Sequence, residues 1–364
     1  MTSVHAGRDI SVDIIRGIAI ILVVLGHSNR GQMETMAIAP ASLQFLDFIV
    51  YAVHMPVFFL VSGYFTFVSL RKRNKSIFLR SRISNIVWPY CLWSIIYCFV
   101  GHVMSSLTHV HHMVAWHQIL LIGWQPISVL WFLYALFFMQ IGAVLLWRHP
   151  VAILAISLVV DLAVAFVPSA MLPKIVVDII VQAPFFYVGL LLAERGLPAL
   201  PNVRRAGLWS AGILVIYGGL AYAMFEAHVG RPVQFIMLPV AFLGLLGLAF
   251  LSRALLQISS LSFIASGLAR LGQASLAIYL LHILVLALVP RILHQMHVYT
   301  AVPALICGTL VGVAGSYVLY LGLEKSGLPA SLPCDEVVPH DGMTWQQSFQ
   351  IKQENRPWAR ICTP

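Results

Sequence analysis

Residues 13 to 27 read D-I-I-R-G-I-A-I-I-L-V-V-L-G-H, an apolar run that nonetheless carries an aspartate, an arginine and a histidine. An α-helix turns about 100° per residue, so the step from Arg16 to His27 comes to three turns and about 20°. Arg16 and His27 therefore share one face. Asp13, one turn before Arg16, lies within ion-pair reach on the same face. At about 1.5 Å of rise per residue, the imidazole stands about 16 Å beyond the guanidinium. Ionisable groups at membrane depth are costly and turn toward a bundle interior or a wet cavity rather than lipid. The stretch predicts a membrane-spanning helix with one polar stripe, and with it a site inside the bundle. The structural alternative is an Asp13–Arg16 pair at the interface with His27 snorkelling.

Outward from this helix the chain keeps the same character. Of 364 residues, 60% are hydrophobic and 10% charged, with mean hydropathy +0.89, whereas soluble domains are about 25% charged. This predicts an all-α, polytopic membrane helix bundle. Windows of about 20 apolar residues place ten spans near 10–28, 46–68, 84–104, 127–147, 150–167, 174–193, 207–225, 232–251, 272–290 and 302–322. A transmembrane domain is expected over 1–324. The remainder, 325–364, is rich in Pro, Asp, Gln and Lys without apolar periodicity, and reads as a flexible cytoplasmic tail. With the N-terminus inside, seventeen of the 22 Lys and Arg residues fall on the inner side, four on the outer side, and Arg16 within the first span. Both termini are then cytoplasmic.

The net charge of +9 is carried in short runs between apolar segments, where it sets orientation and touches membrane lipid, so no nucleic-acid partner is expected. The first span contains charges and leads straight into more spans, unlike a cleavable signal peptide. The more polar stretch 252–271 reads as an amphipathic cytoplasmic connector. The five cysteines show no ligand spacing and are expected as reduced thiols. His109, His111 and His112 sit in the longest outer loop without Cys, Asp or Glu at ligand spacing, so no metal is expected.

Other polar groups recur inside apolar segments. In H-M-P-V-F-F-L-V-S-G-Y, His54 precedes Pro56, with Ser62 and Gly63 beyond; proline frees a backbone carbonyl and Ser-Gly permits close helix approach, predicting a kinked helix that lines a cavity. The inner loop R-K-R-N-K-S-I-F-L-R-S-R reads as a lipid-facing anchor or, at Arg80 and Arg82, as a guanidinium grip on phosphates. In V-L-W-F-L-Y, Trp131 and Tyr134 suit an aromatic belt or a ligand platform. In L-G-Q-A-S-L-A-I-Y-L-L-H, Tyr279 and His282 share a face at i and i+3. Asp161 and Asp178 are further carboxylates in neighbouring spans.

Taken in order, these motifs resemble acyltransferase family 3, integral-membrane O-acyltransferases of surface carbohydrates and related acceptors. The resemblance runs from about Asp13 to Leu323. It is carried by D-x-x-R-G with a histidine eleven residues after the arginine (Asp13, Arg16, Gly17, His27), the His54–Tyr64 stretch, Arg80-Ser-Arg82 followed by Pro89 and Tyr90, and the V-L-W-F-L and L-G-Q-A-S-L-A-I-Y-L-L-H segments. The spacing after Arg82 and the length are similar to the fucose and polysaccharide O-acetylase branch.

The resemblance implies acyl transfer, with acetyl as the default group, from cytosolic acyl-CoA to a hydroxyl of a cell-surface carbohydrate or lipid-linked glycan, at a bacterial inner membrane. No permanently bound cofactor is implied; acetyl-CoA is a donor substrate. Arg80 and Arg82 would hold nucleotide phosphates. Arg16, held by Asp13, would order the pantetheine arm or a phosphate. His27 would act as general base or as an acylated relay. His54, Ser62, Trp131, Tyr279 and His282 would line the cavity. Self-association stays open. A transporter or flippase, with the polar stripe lining a translocation path, is the rival class, and a structural role in an envelope-polysaccharide complex a third.

Overall fold

A computed structural model describes residues 10–34, 36–108, 116–168, 171–196, 205–228, 234–289, 295 and 300–326. The described residues form helices and turns throughout. The first half runs through α1 (Ile10–Met33), α2 (Ala41–Tyr51), α3 (His54–Lys72), α4 (Lys75–Arg82), α5 (Trp88–Thr108) and α6 (Trp131–Leu146). The second half runs through α7 (Pro150–Ala165), α8 (Lys174–Arg195), α9 (Ala206–Glu226), α10 (Gln234–Gln257), α11 (Ser262–Gln273), α12 (Ser275–Leu286) and α13 (Ala301–Lys325). The tail from 327 onward, the loop histidines 109–112, Cys334 and Cys362 lie outside the described residues; Cys91, Cys98 and Cys307 are free thiols.

Among the described residues, eight helices are long and apolar enough to cross a membrane, and each coincides with a span expected from hydropathy. The other two expected spans differ in form. The fifth is α7, only 16 residues, or about 24 Å at helical rise, against a hydrocarbon thickness of about 30 Å. The turn before α6 and the first turn of α8 line one common hollow, so α6 and α8 start at the same end of the bundle. Helix α7 carries the chain back between them. The ninth is one arm of a pair, residues 259–273 and 275–286, bent by 80°.

Local chemistry explains most of the breaks. The Asn74 side chain accepts the Ser76 N–H at 3.1 Å and starts α4, as an N-cap does. Pro150 opens α7, where its missing N–H costs nothing. Gly196, at φ +84°, ends α8. The helix expected to kink at Pro56 is instead interrupted just upstream, at the Ala52–Val53 turn between α2 and α3. Pro56 sits in the first turn of α3, where an N–H has no intrahelical partner to lose.

Two pairs of glycines bring helix backbones together. A Cβ on Gly63 of α3 would strike the Phe186 carbonyl of α8, and one on Gly189 of α8 would strike the Leu60 carbonyl. Gly17 of α1 meets the Leu268 carbonyl of α11, and Gly272 meets the Asp13 carbonyl. The stretch expected as a surface connector is thus partly the end of α10 and partly α11, packed on the charged start of α1. Helix α13 runs antiparallel to α1, with Gly308 against Ser28 and Gly312 against Val24. The start of α1 and the end of α13 therefore lie at the same end of the bundle. Large apolar side chains on α7, α9 and α13, among them Val159, Val215 and Val318, are exposed, as a hydrocarbon-facing rim requires.

Candidate functional site

A cavity of about 280 Å³ lies between α1, α3, α6, α12 and the turn after α4. On α3 it runs from Met55 to Thr66 and on α6 from Phe132 to Gln140, or about 16 Å and about 12 Å of helix. It is a slot rather than a bowl. One end gathers Arg16, Arg82, Asn85, Thr66, Gln140 and Ser275; the other is closed by Met55, Phe132 and Tyr279; Phe58, Val61, Leu133 and Leu136 form apolar walls between.

Each charged group at the first end is held. Arg16 donates to the Ser275 hydroxyl at 2.9 Å and stands 3.8 Å from the Asp13 carboxylate. Asp13 is 3% exposed and accepts from Gln273 at 3.2 Å. Arg82 donates to its neighbour Ser81 at 3.1 and 3.0 Å and lies 4.8 Å over the Phe78 ring. Immediately after Arg82 the chain makes a π-helical turn, Ile83–Val87. Such insertions recur at functional sites because they re-aim side chains; here Asn85 and Ile86 turn into the slot. Thr66 Oγ1, Asn85 Oδ1 and Gln140 Oε1 are buried without hydrogen-bond partners. Buried polar atoms are ordinarily paired; the two amide oxygens can only accept, so they suit a ligand that donates hydrogen bonds, while the two guanidinium groups beside them suit one that carries negative charge.

Beyond the closed end stands a cluster of rings. Tyr279 donates its hydroxyl to the Val129 carbonyl and lies 5.9 Å from His282. His282 lies 5.1 Å from His27, His27 6.1 Å from Tyr51, and Tyr51 4.6 Å from His54, between ring centroids. His282 Nδ1 sits 2.6 Å from the Tyr279 carbonyl and His54 Nδ1 2.7 Å from the Val50 carbonyl. A carbonyl only accepts, so in the neutral rings the proton is on Nδ1 and Nε2 carries the lone pair. His282 Nε2 is buried and unpartnered beside His27. The far side of Tyr51 is covered by Arg30, 3.3 Å over its ring, which pairs with Asp47 at 2.7 and 3.0 Å.

Arg16, Ser62, Arg82 and Tyr279 line the slot, with Asp13 beside Arg16, whereas His27, His54 and His282 gather in the ring cluster beyond Tyr279 and do not line the slot. Two predicted residues stand apart. Arg80 is exposed and does not line the slot. Trp131 lies 6.1 Å from Phe59, which itself lies 4.9 Å from the slot residue Phe132, between ring centroids, and it lines a second hollow with Trp124, Lys174 and Asp178. Asp161 on α7 is buried and does not line the slot. Sequence reasoning missed Gln273 and Ser275, although both lie in the L-G-Q-A-S segment, and missed Thr66, Asn85 and Tyr51. Among the described residues no group of His, Cys, Asp and Glu could hold a metal ion.

Comparison with protein families matches residues 9–321 to the family described as "Acyltransferase domain". No curated protein and no solved structure matches the chain.

Proposed function

The chain belongs to acyltransferase family 3 and is a multi-pass membrane acyltransferase, and on that premise we propose that it moves an acyl group, acetyl by the family's default, from cytosolic acyl-CoA to a hydroxyl of a cell-surface carbohydrate or lipid-linked glycan. The flippase alternative falls away with the family. The observation that carries the donor half is the slot: two guanidinium groups at one end, apolar walls along it, and an imidazole pair beyond its closed end. That order matches acyl-CoA, with phosphates at one end, a slender pantetheine arm, and a thioester at the tip.

In this reading Arg82 and Arg16 take the phosphates and the head of the arm, Asp13 and Ser275 fix Arg16, and Ser62 and Tyr279 flank the arm. The thioester comes to the Tyr279 end, next to His282 and His27. His27 removes the acceptor's hydroxyl proton as the oxygen attacks the carbonyl carbon. The C–O bond forms, the C–S bond breaks, and the thiolate leaves with the proton returned from the imidazole. A neutral imidazole keeps the lone pair that such an exchange needs. His282, with its Nε2 lone pair beside His27, stabilises the proton on it; His54 closes the cluster. The positive-inside count supports a cytoplasmic arginine end of the slot, and in this reading the reaction runs in a bacterial inner membrane. Acyl-CoA is a substrate, and no resident cofactor takes part.

The test is transfer of labelled acetyl from acetyl-CoA by purified protein, together with mass spectrometry of the surface glycan with and without the gene. Release of free CoA and a mass gain of one acetyl group on the glycan are expected; neither would be seen from a protein that only moves glycans. Arg16→Ala and Arg82→Ala are each expected to raise KM for acetyl-CoA by about 10- to 100-fold, the value of one or two charge-assisted contacts. The effect on kcat should be smaller, since both residues bind ground state and transition state alike. An unchanged KM in both variants would remove the slot as the donor site.

A further inference from the structure

The second hollow, about 390 Å³, lies at the end of the bundle opposite Arg82, between the 124–131 turn and the start of α8. Resting on the acyl-transfer reading, we propose that it binds a pyranose unit of the acceptor glycan, with the Trp124 ring as the stacking face and Asp178 with Lys174 as partners for the sugar hydroxyls.

Three observations carry this. First, Trp124 is 63% exposed, yet the turn that carries it is held by hydrogen bonds. Tyr90 and Tyr134 donate their hydroxyls to the carbonyls of Ile122 and Gly123. The N–H groups of Trp124 and Gln125 both go to the Leu121 carbonyl, at 2.8 and 2.7 Å. A tryptophan that only anchors in the lipid interface needs no such scaffold; an exposed ring on a fixed backbone loses less freedom when covered than one on a loose loop. Its negative π face suits the weakly positive C–H groups on one side of a pyranose.

Second, the polar groups that line the same hollow suit hydroxyl recognition. Asp178 pairs with Lys174 at 2.5 Å, the carboxylate 24% and the lysine 82% exposed. A carboxylate that keeps lone pairs toward a hollow accepts from neighbouring hydroxyls while the ammonium donates to a third. Gln125 supplies an amide on the same rim. An apolar face with a few convergent polar groups is the usual composition of a small-molecule site.

Third, the same turn borders the donor side. Ser128 adopts φ +49°, a left-handed conformation unusual outside glycine, asparagine and aspartate, and such outliers gather at functional sites. The next residue, Val129, accepts the Tyr279 hydroxyl, and Tyr279 closes the slot. The two sites are thus separated by a single turn of chain. A sugar held in the hollow stands on the far side of the residue beside which the thioester arrives.

The experiment uses the full chain, expressed in its own membrane and also purified. Trp124→Ala and Asp178→Asn are each expected to lower glycan acylation at least about tenfold, the loss of one stacked ring or one charged partner. Acetyl-CoA affinity of the purified variants should stay within about twofold of wild type. Trp124→Phe, which keeps an aromatic face, is expected to retain most of the acylation. Wild-type acylation by both Trp124→Ala and Asp178→Asn would overturn the acceptor subsite, and so would a parallel loss of acetyl-CoA affinity. A wild-type chain that binds acetyl-CoA but acylates no surface glycan would fail differently, by unseating the acyl-transfer reading on which the subsite rests.

Discussion

Replacing His27 by alanine is expected to lower acyl transfer by about 10²- to 10⁴-fold, the usual worth of a positioned general base, while the chain inserts and binds acetyl-CoA as before. His27 lies about 16 Å of helix away from Arg16, so the phosphate end of the slot keeps its contacts to Ser275 and Asp13. What is lost is the ring between His282 and Tyr51. The measurement is the pair of kcat and acetyl-CoA affinity for the purified variant: kcat falls and affinity holds. Transfer within tenfold of wild type would remove His27 from the chemistry. The wild-type protein separates the two possible roles. Labelled acetyl-CoA without acceptor leaves label on His27 if the imidazole is acylated as a relay, and leaves none if it only moves a proton.

Much of this arrangement is legible in residues 13–27 because helix periodicity alone aligns Asp13, Arg16 and His27, and the ion pair at 3.8 Å follows from their spacing. The neighbours of His27 are not legible. His282 reaches it because the chain bends by 80° between α11 and α12, and no periodicity in L-G-Q-A-S announces a bend. Tyr51 reaches it because α2 and α3 break at Ala52–Val53 rather than at Pro56. Arg80 is a different case. Residues i and i+2 on a helix face about 200° apart, so Arg80 and Arg82 could not both face one slot, and the π turn that follows Arg82 selects it. The count of spans was legible wherever a helix is long and apolar. It was less so for α7, whose 16 residues are too few for a straight crossing, and for α11, which packs Ala265, Ala269 and Gly272 on α1 and leaves Ser262, Ser266 and Arg270 exposed. The signal for Trp131 was ambiguous for a physical reason: a ring at the membrane interface and a ring at the edge of a sugar site call for the same amphipathic side chain.

Gly17→Val is expected to cut transfer by about 10²-fold or more, because a misplacement of about 1 Å at a reacting constellation costs that much. Gly17 touches neither ligand nor cavity; it is the point where the α11 backbone rests on α1, through the Leu268 carbonyl. From that contact α11 delivers Gln273 to Asp13, and the bend after it delivers Ser275 to Arg16 and His282 to His27. A side chain at position 17 must push the two backbones apart, at a cost of about 1–3 kcal/mol. The variant should accumulate in the membrane at reduced level, with acetyl-CoA affinity and turnover both impaired, since both ends of the site hang from α11 and α12. Gly212→Val on α9, where a Cβ has open space, is the matched control and should be neutral. Suppression distinguishes this account from generic damage. A Cβ at Gly312 would meet the side chains of Val24 and Leu286, so Gly312→Ala should be relieved by trimming Val24 to alanine. Leu268→Ala should not rescue Gly17→Val, because the obstacle there is a carbonyl that no substitution removes. Rescue by Leu268→Ala, or wild-type transfer by Gly17→Val, would mean that α11 does not set the positions of the groups around Arg16.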